Sequence, residues 1–69
     1  DIKPKELASV LLRLGFRSRS GKGSHVIFYN ERGQHLSLPM HPRPLGKGLL
    51  LKILKQANLS RQDLLRFLR

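Results

Sequence analysis

A Gly23-Ser24-His25 triplet leads into an apolar segment, and its histidine is the side chain of this sequence best suited to chemistry. Histidine takes and releases a proton near neutral pH without special tuning. Gly21 and Gly23 allow a ligand to approach the backbone closely, and Lys22 between them adds a positive charge. His25 is therefore a candidate general acid or base, with Lys22, Gly23 and Ser24 as candidate contacts to an anionic substrate. A lone histidine in a strand is more often structural or merely exposed, so both interpretations stay open.

Two other histidines differ in how well they are placed to join His25. His41 comes just after a strand that we expect to pair with the segment beginning at His25, so it is a candidate for the same site. The same pairing puts His35 opposite Tyr29, which is four residues from His25 along its strand, or about 13 Å. We therefore exclude His35 as a catalytic partner. The Gly-Lys-Gly-Ser string lacks the spacing of a Walker loop, which argues against nucleoside triphosphate binding.

A second glycine-rich string, Gly46-Lys47-Gly48, begins a predicted helix. Free backbone N–H groups and the helix dipole favour an anion at such a position. Lys47 adds a full charge there, and Arg43 lies shortly before it. Lys47 and Arg43 are thus further candidate phosphate contacts, although an ordinary flexible helix start would explain the same residues.

The acidic residues and the cysteine count argue against metal chemistry. The chain has no cysteine and only four acidic residues, which are scattered. No two histidines have the spacing of metal ligands with a carboxylate nearby. The sequence therefore predicts neither a metal nor another cofactor.

Charge points to an anionic partner. The formal net charge is +10 over 69 residues, and no acidic residue occurs between Glu31 and Asp63. A soluble domain needs a charge of only about 2–8, and a field this positive attracts phosphate backbones. A well-solvated surface and an acidic protein partner remain alternatives.

Length and hydropathy predict a single domain over residues 1–69. No apolar run approaches the ~20 residues of a membrane span. Leu11 and Leu12 are followed at once by Arg13, so no secretory signal is recognisable. The lack of cysteine is compatible with a reducing compartment, and we expect a cytoplasmic protein.

Periodicity predicts one helix followed by three strands. A helical stripe over Pro4–Leu14 ends before a glycine suited to a helix terminus; its apolar members are Leu7, Val10, Leu11 and Leu14. The glycines of Gly21-Lys22-Gly23 predict a turn between the first two strands. The strands are expected at Phe16–Ser20, Ser24–Asn30 and Gln34–Pro39.

Turn chemistry predicts the register of the second and third strands. The loop Glu31-Arg32-Gly33, with its glycine at the left-handed position, is a common three-residue connection. It pairs Val26 with Leu38 and Phe28 with Leu36, which puts the apolar partners on one face. His25 then lies on the opposite, exposed face.

The last part of the chain predicts a linker and two helices. Met40–Leu45 is proline-rich and extended, and a helix begins near Gly46, its apolar stripe being Leu50, Ile53, Leu54 and Ala57. Ser60 and Asp63 form a capping-box pattern before a short helix, which we expect to direct Leu64, Leu65 and Leu68 inward. The order α-β-β-β-α with a short trailing helix predicts an α+β fold, with a three-stranded antiparallel sheet covered by helices on one face.

These motifs, taken in order, resemble the HicA toxins of bacterial and archaeal toxin–antitoxin systems. The resemblance covers nearly the whole chain and rests on these segments: Lys5-Glu6-Leu7, Gly15-Phe16, Gly23-Ser24-His25, Leu38-Pro39 with His41, Leu45-Gly46-Lys47-Gly48, Ile53-Leu54-Lys55-Gln56-Ala57 and Leu59-Ser60. Many relatives have a second histidine where this chain has Val26, and a threonine where it has Leu49.

The resemblance implies a fold like that of double-stranded-RNA-binding domains. It also implies an mRNA endoribonuclease, with His25 as its catalytic histidine and a HicB-type antitoxin as its protein partner. For such an enzyme we expect metal-independent cleavage. The alternatives from another class are a module of the same fold that binds RNA without cutting it, and an interaction domain for an acidic protein.

Overall fold

The helices and strands of the structure follow one another in the order that the sequence predicts. The structure, a computed structural model, describes residues 2–68. Its elements are α1 (Pro4–Arg13), β1 (Arg17–Ser20), β2 (His25–Tyr29), β3 (His35–Pro39), α2 (Lys47–Gln56) and α3 (Arg61–Phe67). The strands form one antiparallel sheet in the order β1-β2-β3. The predicted α+β fold is confirmed, and each predicted strand is shortened by one or two residues.

Both long helices end on a residue with left-handed backbone. After α1 this residue is Gly15 at φ 96°, and the next N–H, that of Phe16, donates to the Leu11 carbonyl at 3.0 Å. Asn58, at φ 57°, ends α2 in the same way. Such bonds satisfy carbonyls that a helix end leaves free. Leu14 was predicted to be buried but is 37% exposed, because it caps the helix rather than continuing it.

The predicted register of β2 and β3 is confirmed. Val26 pairs with Leu38 and Phe28 pairs with Leu36. Gly33 has φ 81°, a conformation that side chains disfavour. The three-residue loop therefore places the apolar partners on the inner face of the sheet, toward the helices.

The turn between β1 and β2 lies one residue later than predicted. The Gly21 N–H donates to the His25 carbonyl at 3.0 Å, so Gly21 still belongs to the ladder. The His25 N–H donates to the Lys22 carbonyl at 3.0 Å and closes the turn. Gly23, at φ 58°, lies inside it.

The core lies between the inner face of the sheet and the helices. Its fully buried side chains include Leu7 and Leu11 of α1, Leu38 of β3 and Ile53 of α2. The segment between β3 and α2 is anchored at its end, because Leu45 is buried and its N–H donates to the Ile2 carbonyl at 2.7 Å. Within residues 2–68, the helices are all too short or too polar to cross a membrane.

The inward face of α3 differs from the prediction. Leu64 is buried as expected, but Leu65 is 60% exposed. Leu68 packs against the core as expected, and Phe67 packs there in place of Leu65. The Arg13 guanidinium lies over the ring of Phe67, 5.2 Å from the ring centre. Arg13 also donates a hydrogen bond to the Phe67 carbonyl at 3.3 Å. This contact between α1 and α3 sets the rotation of the last helix.

A reciprocal cap begins α3, as the sequence predicts. The Asp63 N–H donates to Ser60 Oγ at 3.0 Å, and the Ser60 N–H donates to Asp63 Oδ2 at 3.2 Å. The bond from the Ser60 backbone, followed by the Ser60 side chain, holds the pKa of Asp63 below its ordinary value of 3.8. Such a box satisfies two helix N–H groups at once.

We predict that Ser60→Ala lowers the free energy of unfolding by about 1 kcal/mol, because the Asp63 N–H in the first turn of α3 loses Ser60 Oγ as its acceptor. Ser9→Ala is the matched control, since Ser9 is an exposed residue inside α1. Urea unfolding of the three proteins measures the difference. An equal effect of both substitutions would contradict the assignment.

We also predict that the stabilising effect of Asp63 depends on pH. Because folding lowers the pKa of this carboxyl, its contribution is present above 3.8 and is lost as the pH falls through the folded value. Asp63→Asn should therefore be less stable than the wild type at neutral pH, and the difference should be smaller in acid, at a pH well below 3.8. Urea unfolding at both pH values tests this, and a difference independent of pH would contradict it.

Candidate active site

His25 begins β2 on the exposed side of the sheet. Its backbone carbonyl and N–H face β1, where they bond to Gly21 and Lys22. On its other side it pairs with Pro39 of β3. Because β3 is an edge strand, the missing N–H of Pro39 leaves the ladder intact. The side chain is exposed, as the sequence predicts, and is free to meet a ligand from solvent.

Gly21 has no side chain at a point where β1 and β2 approach each other closely beside His25. A Cβ atom at this position would lie 3.1 Å from the His25 carbonyl oxygen and 3.2 Å from Cδ1 of Ile27. Both distances are shorter than an ordinary van der Waals contact. A side chain at position 21 would therefore push the His25 backbone or Ile27 aside by a few tenths of an ångström.

The outer face of the sheet is the face opposite the core, and the register defines it. Directly paired residues of antiparallel strands project to the same side. The members of the outer face are Arg17, Arg19, His25, Ile27, Tyr29, His35, Ser37 and Pro39. No acidic residue occurs among them. This face, rather than a cleft, surrounds the candidate catalytic side chain.

His41 follows the sheet directly and has one unusual nitrogen. The Met40 N–H donates to the Ser24 carbonyl at 2.9 Å, which continues the ladder and brings His41 beside the Gly23 and Ser24 end of β2. Nδ1 of His41 is buried and has no hydrogen-bond partner among residues 2–68. Buried nitrogens without a partner are uncommon, and local strain, a bound water or ion, or a catalytic role can each account for one.

Of the remaining predicted contacts, three adjoin His25 in the chain and two follow β3. Lys22, Gly23 and Ser24 form the exposed turn that precedes it. Arg43 is exposed in the segment after β3. Lys47 is the exposed first residue of α2, and Gly46 before it provides no side-chain cap.

The direction of α2 follows from its two ends. The helix begins eight residues after Pro39, which pairs with His25, and it packs against β3. Ala57, Asn58 and Leu59, which follow α2, line a groove of about 670 Å³ together with Tyr29 and Asn30. Lys47 and the positive end of the α2 dipole therefore lie at the end of the helix away from Tyr29, and such a helix start favours an anion.

His35 is far from the candidate site, as the sequence predicts. It pairs with Tyr29, at the other end of β2 from His25. Within residues 2–68, no three His, Cys, Asp or Glu side chains come together as metal ligands would. Because the sequence predicts no register for the first strand, it does not place Arg17 and Arg19 on the face that carries His25. That register is the signal that places both arginines on the outer face.

One family model matches this chain, that of the HicA toxin of bacterial toxin–antitoxin systems, over residues 4–59. The chain belongs to the HicA toxin family. The match spans α1, the whole sheet and α2, and therefore includes His25 and every other candidate contact. No individual curated protein matches the chain closely enough to add to this assignment. Family membership makes the protein the toxin of a toxin–antitoxin pair, with an antitoxin as its partner.

We predict that Gly21→Ala destabilises the HicA domain by about 1 kcal/mol, because its methyl group would crowd a backbone oxygen and Ile27. Gly48→Ala is the matched control: a Cβ there meets nothing within 4 Å, and alanine favours a helix. It should leave stability unchanged or raise it. Urea unfolding measures both, and a Gly21 variant as stable as the wild type would show that the packing is loose.

Proposed function

We propose that this HicA protein is an mRNA endoribonuclease that acts in the cytoplasm, and that His25 is its catalytic residue. The observation that carries the proposal is the exposure of His25 on the acid-free outer face. The family, one of ribonuclease-type toxins, supports the reaction class. The net charge of +10 supports a polyanionic substrate. The proposed antitoxin is of the HicB type, as the family resemblance implies.

The proposed reaction is a transesterification within the RNA. The 2′-oxygen forms a bond to the adjacent phosphorus as the bond to the 5′-oxygen breaks, which leaves a 2′,3′-cyclic phosphate and a 5′-hydroxyl. His25 takes the proton of the 2′-hydroxyl as general base. A positioned group of this kind typically contributes a factor of 10²–10⁴. The leaving 5′-oxygen takes a proton from His41 or from water.

The cationic groups near His25 suit the charge that develops on the phosphate. Lys22 adjoins His25 through the turn, with Gly23 and Ser24 offering close backbone approach. Arg43 and Lys47 are exposed cations in the part of the chain that follows β3, and we include them in the proposed phosphate site. Cations placed where negative charge grows stabilise the transition state more than the ground state.

We predict that His25→Ala lowers the rate of RNA cleavage by about 10²–10⁴-fold. His35→Ala is the matched control, because it removes the same side chain from the same sheet at the far end of β2. Cleavage of an mRNA by the purified proteins gives the rates, and circular dichroism checks folding. A DNA of the same sequence should stay intact, because it lacks the attacking 2′-hydroxyl.

Controlled expression in bacteria gives the corresponding result in cells. Growth arrest and mRNA fragmentation with the wild type alone would support the proposal. Intact mRNA with a folded wild-type protein would favour the module that binds RNA without cutting it. Equal degradation by wild type and His25→Ala would leave the nuclease in place and remove His25 from its role.

A further inference from the structure

The outer face carries two arginines and an aromatic ring that the proposed chemistry does not use. Arg17 pairs with Tyr29, and Arg19 pairs with Ile27. Directly paired residues project to the same side, so both guanidinium groups lie on the face that also carries His25. Both arginines are exposed, and Tyr29 is half-buried.

This combination of side chains suits a single nucleic-acid strand. Aromatic rings on an open sheet stack bases, and basic groups beside them contact the backbone. The helices pack on the inner face, so they leave Tyr29 accessible from the outer side. A groove of about 670 Å³ borders Tyr29 at this end of the sheet, between the β2–β3 loop and the ends of α1 and α2, and Arg17 and Arg32 also line it. Glu31, in the same loop, is an acidic neighbour at its rim.

Spacing along the strands connects this region with His25. His25 and Tyr29 are four residues apart on β2, about 13 Å, a span that a few nucleotides cover. Arg17 and Arg19 are two residues apart, about 7 Å, which is similar to the separation of successive phosphates in an extended strand. A strand stacked on Tyr29 would therefore reach His25 with its backbone alongside β1.

We propose that Arg17, Arg19 and Tyr29 form a platform for single-stranded RNA, with a base stacked on Tyr29 and phosphates on the two arginines. This inference rests on the proposed nuclease function and names the form of RNA that it cuts. A duplex suits the platform poorly, because its bases stack on one another and offer no free face to Tyr29. The platform thus sets substrate choice at a distance from the reacting phosphate.

Tyr29 itself is the probe for the first experiment, because the chain has one tyrosine and no tryptophan. The His25→Ala protein, which we expect to bind without cutting, is titrated with a single-stranded oligoribonucleotide and with a blunt-ended duplex of the same strand and its complement. Stacking of a base on the phenol ring quenches its emission. We expect quenching by the single strand and none by the duplex.

Affinities measured in the same His25→Ala background then test each member of the platform. Tyr29→Ala should weaken binding of the single strand about tenfold, whereas Tyr29→Phe, which keeps a ring, should bind nearly as well. Arg17→Ala and Arg19→Ala should each weaken binding and reduce its salt dependence by about 0.7 in log–log slope. Arg61→Ala is the control, since it removes an exposed arginine at the start of α3.

The outcomes separate the platform from the nuclease. Unchanged Tyr29 emission, or equal losses for Arg61→Ala and Arg17→Ala, would overturn the platform even if the wild type cleaves RNA. Equal quenching by the duplex would overturn the preference for single strands. Quenching and the tenfold loss would uphold the platform even if His25→Ala still cleaved RNA, which would count against the proposed catalytic residue alone. Binding of an acidic protein without quenching by RNA would assign this face to a protein partner instead.

Discussion

The register between β2 and β3 is the constraint on which the rest of the structure depends. Side chains alternate between the two faces of a sheet, so a slip of one residue would exchange the faces. Phe28 would then face water, and His25 would be buried against the helices. The register is held by Gly33 and by the side chain of Asn30, whose Oδ1 accepts from the Gln34 N–H at 3.1 Å while its Nδ2 donates to Gln34 Oε1 at 2.7 Å. The same few bonds therefore secure both the core and the candidate active site.

Local chemistry explains which parts of the fold were predictable. A three-residue loop with glycine at its last position has few alternatives, so the β2–β3 register and the exposure of His25 follow from sequence. Two glycines, Gly21 and Gly23, lie between β1 and β2, and sequence alone does not decide that Gly21 belongs to the ladder and Gly23 to the turn. In α3 four of the last five described residues are apolar, so periodicity cannot select the inward ones. The contact of Arg13 with Phe67, distant in sequence, makes that choice.

The candidate site shows the same division between local and distant causes. The glycine-rich turn and the histidine that follows it are neighbours in sequence, and their types alone suggest chemistry on an anion. The buried Nδ1 of His41 depends on packing after β3, which no pattern of residue types reveals. The groove beside Tyr29 forms where the ends of α1 and α2 meet the β2–β3 loop. Such a surface exists only once three separate segments have been brought together.

The residues that protect the two edge strands from pairing with other chains also belong to the face that carries His25. Exposed edge strands invite pairing with other chains, and charged residues or proline at the edge prevent it. Here β1 carries Arg17 and Arg19, and β3 ends in Pro39. These residues also lie on the outer face with His25, so protection of the edges leaves a face that is open and basic.

The charge of +10 on so small a domain produces repulsion among its own cations, which weakens the compact state. An anionic ligand on that face would relieve the repulsion and stabilise the fold by mass action, so binding of a polyanion and stability of this domain are physically linked.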